Sequence, residues 1–410
     1  MSESLPHVEE VQGLYGPFQF PELLLQRIWS EQSFNLSGLR TEQEATVKIT
    51  RPGRWNRQGG PDFREAEIKL DGRICRGDVE IHLREQDWGA HQHASDPAFA
   101  GVILHVVLFP PSRSTSRGAG AGEIPILALL PHLWHDLEEY ASDAAMSAIA
   151  QRPADRLAQS WRELSAGEVR DRIVVEAHRR WTQKVHYARQ RIAKLGWEAA
   201  CHHTALEILG YRFNRAPMLA VATAWPLERW VSGDASVESI WASQDDRWRL
   251  GGVRPANHPR KRLEAYARWV ETGENWPERL DAMGQMWPAM PPGMSPQVDG
   301  AELRKTLGLK AQYGAVMAAL GLTGAVGQPR ADNVWGDGLL PLLAAKGSLA
   351  EPAGFTWWFC SWPGDQAANL AQAARLAGIA EGRQNPLAWG HVQGLLGQQL
   401  ATEAVPGRGT

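Results

Sequence analysis

The chain has 410 residues, a length that predicts two or three domains of about 100–200 residues each. Its 43 Lys+Arg and 46 Asp+Glu leave a formal net charge of −3. This balance excludes nucleic-acid binding through overall positive charge, so any such site must be a local basic patch. The three cysteines are far apart and include no C-x-x-C pair, which argues against a disulfide framework and against a thiolate zinc site.

Targeting signals are absent from the sequence pattern. The first ten residues lack the basic start and the apolar core of a signal peptide. The strongest apolar run, residues 102–109, is far shorter than the roughly 18–20 residues that cross a bilayer. We therefore expect a cytoplasmic protein with no membrane partner.

Strand patterns dominate the first third of the sequence. A helix is predicted at residues 20–31, where apolar residues recur at helical spacing and Pro21 stands near the start. Apolar runs then predict strands at residues 45–50, 66–70, 74–83, 102–109 and 124–129. Asp71-Gly72 is a strong hairpin signal between the second and third of them. Turn-forming residues at 110–122 predict a loop between two strands.

From about residue 131 the apolar period is that of helices. Steps of three and four residues predict a long amphipathic helix that contains Val174 and Leu195. Its other face is the most basic part of the chain, with Arg170, Arg172, Arg179, Arg180, Lys184, Arg189, Arg191 and Lys194. We interpret this face either as a solvated surface or as one that meets a polyanion.

A second basic element lies at residues 254–262. Asn257 is predicted to cap a helix that extends to about Glu271. Arg254 and Arg260 then lie near a helix N-terminus, where an anion is favoured. Together these patterns predict an α+β domain at residues 1–130, a helical domain at 131–405 and a disordered tail at 406–410.

Residues 59–105 hold the densest group of chemically active side chains. Four of the 13 histidines fall within 24 residues there, beside several acids. On the strand through Val79 and Ile81, alternation places Asp78, Glu80 and His82 on the opposite face. Carboxylates gathered at one place repel each other unless a cation lies between them. This face therefore indicates a divalent-metal site or acid–base chemistry.

Pro61-Asp62 followed by Glu80-x-His82 resembles the PD-(D/E)XK nuclease superfamily, whose signature is Pro-Asp, a spacer and Asp/Glu-x-Lys. The resemblance implies a restriction-endonuclease-like mixed sheet, with Asp62 and Glu80 as ligands of Mg²⁺ or Mn²⁺. His82 takes the position of the lysine that orients the attacking water, and Glu22 is the candidate for the family's helical glutamate. The sequence departs from the pattern in that histidine and in a connection of only about eighteen residues before the next strand, enough for a short crossover helix.

The wider chain resembles an uncharacterised bacterial family of unknown function. The motifs that carry this likeness are G-P-D-F, G-D-V-E-I-H, D-W-x-x-H-x-H and V-I-L-H-V-V, with Gly210-Tyr-Arg-Phe-Asn214 and Arg254-Pro-Ala-Asn257 later in the chain. The likeness implies a family and no activity.

A different metal chemistry is open to the same cluster. His91 and His93, with His105 and with Asp87 or Asp96, are ligand types that bind zinc and activate water for hydrolysis of a non-nucleic substrate. His105, inside an apolar strand, also fits a buried structural histidine. Cys201-His202-His203 lies in a helical pattern, and we interpret it as structural.

Our prediction from the sequence is a divalent-metal-dependent nuclease. Asp62 and Glu80 bind the metal with Glu22, and His82 orients the water. The predicted phosphate contacts are Arg54, Arg57, Arg64, Arg179, Arg180, Arg254 and Arg260. The alternatives are the zinc-type hydrolase and a scaffold that binds nucleic acid or a protein without cutting. No pattern in the sequence supports an ATPase, a serine hydrolase or a dinucleotide-binding protein.

Overall fold

The computed structural model describes residues 8–14, 16–119, 122–211, 213–244, 246–285, 300–364, 368–378 and 387–403. The chain divides into two compact units, and the division falls between Ala144 and Ala145. The sequence places this boundary near residue 130. It falls later because Tyr140 packs in the core of the first unit and its hydroxyl donates to the Ser33 carbonyl. The predicted tail at 406–410 lies outside the described residues.

The first unit is an α+β structure. Its strands are β1 (Val8–Gly13), β2 (Gly16–Pro21), β3 (Val47–Arg51), β4 (Arg54–Trp55), β5 (Phe63–Leu70), β6 (Arg73–His82), β7 (Val102–Val107), β8 (Thr115–Arg117) and β9 (Glu123–Ala128). In the described chain, β1 and β2 pair with each other, and the other seven strands form a mixed sheet in the order β3-β5-β6-β7-β9-β8, with β4 paired to β5. Strands β3, β5 and β6 run antiparallel, whereas β7 is parallel to both β6 and β9.

Helix α1 (Glu22–Glu31) precedes the mixed sheet and packs on it. Pro21 occupies the N-cap position and fixes where the helix begins. Leu25, Ile28 and Trp29 are buried in the same core as Val79 and Ile81. The prediction of this helix is confirmed, with its start two residues later than the apolar pattern suggested.

The tight turn between β5 and β6 sets the register of the two strands. Asp71 and Gly72 have φ values of 47° and 80°, the pair of positive angles that a type I′ hairpin turn requires. The Asp71 carboxylate also accepts a hydrogen bond from Thr46 N at 2.8 Å. The predicted hairpin is therefore confirmed.

The sequence analysis did not predict four of the strands, β1, β2, β4 and β8. Strand β4 has only two residues, too few for a detectable period. Strand β8 lies inside the segment 110–122 that we predicted as a loop, and it pairs antiparallel with β9. That prediction is wrong for residues 115–117, because an edge strand without an apolar run has the composition of a turn.

The connection from β6 to β7 is compact. It contains α2 (Asp87–Ala90) and two single 3-10 turns, His93–Ser95 and Pro97–Phe99. The expected short crossover helix is therefore present. Just before the site, Gly77 lies so close to β7 that a Cβ there would stand 2.5 Å from both the Gly101 carbonyl oxygen and Ile103 Cγ2.

Substituting Gly77→Ala will lower the stability of the first unit by roughly 1–3 kcal/mol, because the added methyl group overlaps backbone atoms that the sheet holds in place. Urea denaturation of the variant will measure the loss. Gly89→Ala is the matched control, since a Cβ at Gly89 meets nothing within 4 Å and alanine favours a helix. Equal stability of the two variants would contradict the close approach at Gly77.

The second unit is helical. Its core surrounds the long helix α5, which begins at the capping box of Ser165 and Glu168. The helices after α2 are α3 (Leu137–Ile149), which spans the division, α4 (Ala154–Arg162), α5 (Ala166–Leu195), α6 (Trp197–Leu209), α7 (Arg215–Ala224), α8 (Leu227–Val231), α9 (Val237–Ser243), α10 (Pro259–Thr272), α11 (Trp276–Gln285), α12 (Gly300–Thr306), α13 (Leu309–Ala319), α14 (Gln328–Asn333), α15 (Leu340–Lys346), α16 (Glu351–Cys360), α17 (Ala368–Leu376) and α18 (Trp389–Glu403), with a π-helix at Val334–Leu339.

The structure corrects part of the predicted basic face of α5. Arg180 is buried, and its guanidinium donates to Gln183 and to Gln393. Arg179, which is exposed, contacts Glu176 at 3.3 Å. The phosphate-binding prediction for Arg180 is therefore wrong, because the helix period alone does not show that other helices cover this side of α5.

The predicted cap at Asn257 is also wrong. Helix α10 begins at Pro259, and His258 occupies the N-cap without a side-chain hydrogen bond. The side chain of Asn257 accepts a hydrogen bond from Arg262 instead. Arg260 contacts Glu238 at 3.1 Å, so the first turn is less basic than its sequence indicates.

Among the described residues, each helix is too short or too polar to cross a membrane.

Candidate functional site

The site is built on the C-terminal end of β6. Val79 and Ile81 are fully buried in the core of the first unit. Because side chains alternate along a strand, Glu80 and His82 project to the other face of the sheet, where both are also buried. The parallel register places Glu80 opposite His105 on β7.

Asp62 and Glu80 are in direct contact although 18 residues separate them. The backbone N–H of Asp62 donates to Glu80 Oε2 at 3.0 Å, and Asp62 Oδ2 accepts from the backbone N–H of Ile81 at 3.0 Å. The pairing of β5 with β6 produces this contact, since Phe63 lies opposite Val79. The two carboxylates that the sequence selected are therefore brought together.

Helix α1 contributes a third carboxyl group, that of Glu22, which Gln26 links to Asp62. The amide of Gln26 donates to Asp62 Oδ1 at 2.7 Å and lies 3.4 Å from Glu22 Oε1. Trp55 Nε1 donates to Gln26 Oε1 at 3.2 Å and fixes the orientation of this amide. Within the described chain, the buried Glu22 Oε2 has no hydrogen-bond partner.

Burial dominates the electrostatics of these acids. Burial, followed by the negative charges of Asp62 and Glu80, raises the pKa of Glu22 to about 8. Burial also raises the pKa of Asp62, followed by the charge of Glu80. The pKa of Glu80 is raised by burial, and the Asp62 N–H opposes this only in part. Without a cation these groups therefore hold protons at neutral pH.

Histidines occupy the other side of Glu80. Glu80 Oε1 lies 3.2 Å from His93 Nε2 and 3.6 Å from His82 Nε2. His91 Nδ1 lies 3.3 Å from His82 Nε2. One nitrogen from each of His82, His91 and His93 falls within 4.8 Å of the others, a spacing that fits a metal ion.

A buried relay extends from His82 away from the site. His82 Nδ1 lies 2.9 Å from His105 Nε2, and His105 Nδ1 lies 2.7 Å from Ser116 Oγ on β8. Burial lowers the pKa of His105 to about 3 and that of His93 to about 4. Both rings are therefore neutral at physiological pH, the form in which imidazole binds metals.

The acids predicted for the zinc alternative are engaged in local hydrogen bonds, although the charge of Asp96 still acts on His93. Asp87 accepts a hydrogen bond from Arg84 N at 2.9 Å, and Asp96 accepts from Ala98 N at 2.9 Å. Both are the local side-chain to backbone contacts that shape turns. Asp78 similarly accepts from Glu65 N at 3.1 Å. His105 lies behind His82 as its hydrogen-bond partner, so His91 and His93 are the predicted residues that remain beside Glu80.

The predicted phosphate contacts of the first unit lie beside Asp62. Arg54 and Arg64 are directly opposite each other in the β4–β5 pair, and both are exposed. Alternation along the chain puts residues 62 and 64 on the same side. Arg64 donates to the Gly59 carbonyl at 3.2 Å, and the guanidinium of Arg57 stacks 4.7 Å from the Trp55 ring.

The sequence analysis missed Gln26 and Ser116. Gln26 was detectable, since it lies one helical turn after Glu22 and so shares its face. Ser116 was not, because its strand was predicted as a loop.

A family model described as a protein of unknown function, DUF2851, matches residues 22–242 of the chain. Neither the curated proteins nor the solved structures contain a match.

Proposed function

The chain belongs to DUF2851, a family of proteins of unknown function, so its chemistry has to be inferred from its site, and we propose that it is a divalent-metal-dependent phosphodiester hydrolase acting on DNA or RNA. The observation that carries this proposal is the group of three carboxyl groups formed by the buried Glu80 and the half-buried Glu22 and Asp62. Asp62 and Glu80 contact each other directly, and Gln26 links Asp62 to Glu22.

A cation explains why these acids are buried together. Deprotonated carboxylates at this spacing repel each other strongly in a low-dielectric interior. Among the described residues, the pKa of Glu22 is raised by its own burial and by the negative charges of the acids around it. Oxygen ligands from carboxylates are the set that Mg²⁺ and Mn²⁺ prefer. Binding a divalent ion therefore replaces the protons that the acids otherwise carry.

The arginine pair supports a phosphodiester as the substrate. Like charges directly opposite each other on two strands destabilise the pair unless an anion lies between them. Arg54 and Arg64 are in this position on the side of Asp62. Guanidinium groups bind phosphate with two parallel hydrogen bonds. The order of the two motifs, Pro61-Asp62 and then Glu80-x-His82, also matches the signature of the PD-(D/E)XK nucleases that the sequence resembles.

Each residue has a defined task in this proposal. Gln26 and the Ile81 N–H hold the Asp62 carboxylate in place, and Glu80 faces both Asp62 and the histidines. His82 orients the attacking water through Nε2, because its Nδ1 is engaged with His105. A bound divalent ion supplies the charge that polarises the phosphate and makes its water acidic.

Cleavage of labelled DNA and RNA tests the proposal. We expect single-stranded or duplex substrate to be cut in Mg²⁺ or Mn²⁺ and to stay intact with a chelator. Glu67→Gln is a matched control, since Glu67 lies on β5 and pairs with Arg51 and Arg76. Salt-sensitive binding without cutting in any divalent metal would contradict a hydrolase and favour a scaffold.

Arg54→Ala and Arg64→Ala will each weaken nucleic-acid binding and reduce the slope of log affinity against log salt by about 1, because each removes one phosphate contact. Fluorescence anisotropy at several salt concentrations measures both quantities. Arg73→Ala, at the far end of β6, is the control and keeps the wild-type slope. An unchanged slope in both variants would show that this arginine pair does not bind phosphate.

The proposal includes a cytoplasmic location. All three cysteines lie in the described part of the chain as thiols. Thiols persist in a reducing compartment.

A further inference from the structure

We infer that a second metal site adjoins the three carboxylates: His82, His91 and His93, together with Glu80 Oε1, bind a transition-metal ion of the zinc or cobalt type. The inference deepens the proposed function and rests on it in one respect, the use of Glu80 as a ligand. Glu80 then serves two ions, with Oε2 directed to the Asp62 side and Oε1 to the histidines.

Three of the six distances between the proposed ligand atoms are close to those around a tetrahedral ion, and the three histidine nitrogens lie within 4.8 Å of one another. With metal–nitrogen distances of about 2.0–2.1 Å, neighbouring ligand atoms of a tetrahedron lie about 3.3–3.4 Å apart. The His82 to His91 distance is 3.3 Å, and Glu80 Oε1 lies 3.2 Å from His93 and 3.6 Å from His82. These contacts join all four residues.

His93 gives an independent indication of a ligand. Its side chain is 7% exposed, and among the described residues neither ring nitrogen has a hydrogen-bond partner. The ring is held in place by stacking on Phe99, with 3.7 Å between ring centroids. His93 Nε2 lies 3.2 Å from Glu80 Oε1 but makes no hydrogen bond to it, and leaving buried polar nitrogens without hydrogen bonds is costly. A metal ion at Nε2 removes part of that cost.

The backbone presents His91 and His93 to the same place. Gln92 between them has a left-handed conformation, with φ 58° and ψ 27°. A non-glycine residue in this conformation is uncommon and is maintained by its surroundings. The resulting turn brings two histidines that are separated by one residue within ligand distance of each other.

The relay behind His82 has the pattern of support that metal-binding histidines show. A ligating histidine usually donates its other N–H to a neighbouring acceptor, which fixes its tautomer. His82 Nδ1 contacts His105 Nε2, and His105 in turn contacts Ser116 Oγ. When the ion occupies this site, His82 Nε2 is a metal ligand, and the attacking water is held by the ion at the carboxylates instead.

Cobalt is the probe that tests this site, because tetrahedral Co²⁺ gives intense visible absorption bands and octahedral Co²⁺ gives weak ones. Full-length protein freed of metal by chelation is titrated with Co²⁺ alone. We expect intense bands that saturate at one ion per chain. His91→Ala, at an exposed position, will weaken this binding at least about 100-fold, since even supporting residues contribute 10–100-fold. His186→Ala, a half-buried histidine of α5, is the control.

Two variants separate this site from the carboxylate site. Asp62→Asn will retain the tetrahedral Co²⁺ spectrum, whereas Glu80→Gln will weaken it. A wild-type protein with only weak octahedral bands, or a His91→Ala variant with the wild-type spectrum, overturns the inference. If the spectrum appears and no nucleic acid is cut, the metal site stands and the proposed hydrolase fails. If Mg²⁺-dependent cutting occurs without the spectrum, the hydrolase stands and the second site fails.

Discussion

Glu80→Gln will reduce metal-dependent cleavage by at least about 10³-fold. Losing this charge removes several kcal/mol of interaction with the metal, and each 1.4 kcal/mol or so corresponds to a factor of ten in rate. Glutamine keeps the size of the side chain and an oxygen that can accept the Asp62 N–H bond. The substitution thus tests charge rather than packing. Initial rates of cleavage at saturating Mg²⁺ or Mn²⁺ measure the effect.

Asp62→Asn will have a similar effect, and Glu22→Gln a smaller one because Glu22 reaches Asp62 only through Gln26. Glu67→Gln will keep the wild-type rate. Circular dichroism will show that each variant is folded. A Glu80→Gln protein that cuts within tenfold of the wild-type rate would show that Glu80 does not hold the catalytic ion.

The metal-free protein will lose stability as the pH rises from 7.5 to 8.5. Glu22 has a folded pKa of about 8, and those of Asp62 and Glu80 are also raised. The folded state therefore holds more protons than the unfolded state at these pH values. Stability from these groups is complete below their unfolded pKa and is lost as the pH rises through the folded one. We expect a loss on the order of 2 kcal/mol.

This pH range isolates the carboxyl groups. The folded pKa of His93 is lowered to about 4, so that ring is neutral in both states above its unfolded pKa and adds no slope. Calorimetry of the chelated protein at several pH values measures the loss, and saturating Mn²⁺ is expected to remove it. Glu22→Gln will flatten the dependence, whereas Glu67→Gln will not. A metal-free protein whose stability rises over this range would contradict the buried carboxyl cluster.

The carboxylate half of the site was predictable because it depends on local periods. Alternation along β6 separates Glu80 from Val79 and Ile81, and the Asp71-Gly72 turn aligns β5 with β6. A bulge between Phe63 and Ala66, which the sequence does not indicate, then shifts the register by one position and brings Asp62 beside Glu80. Glu22 was named only through the resemblance to the PD-(D/E)XK superfamily, and it lies in the first turn of α1 after Pro21.

The histidine half required the tertiary structure. Nothing in the sequence indicates that Gln92 has a left-handed conformation, and that conformation decides where His91 and His93 lie. The sequence also offers both Asp96 and His93 as zinc ligands, although the Asp96 side chain caps a turn. The burial of Arg180 likewise depends on contacts with residues more than 200 positions away, such as Gln393.

The most direct test of the metal centre is anomalous diffraction from crystals of the full chain soaked in Mn²⁺ and, separately, in Zn²⁺. We predict a Mn²⁺ peak at coordination distance from Asp62 and Glu80, and a Zn²⁺ peak among His82, His91 and His93, about 4 Å from the first. Soaked crystals with no anomalous peak at either place, at a pH above 8 where the acids are deprotonated, would contradict the account.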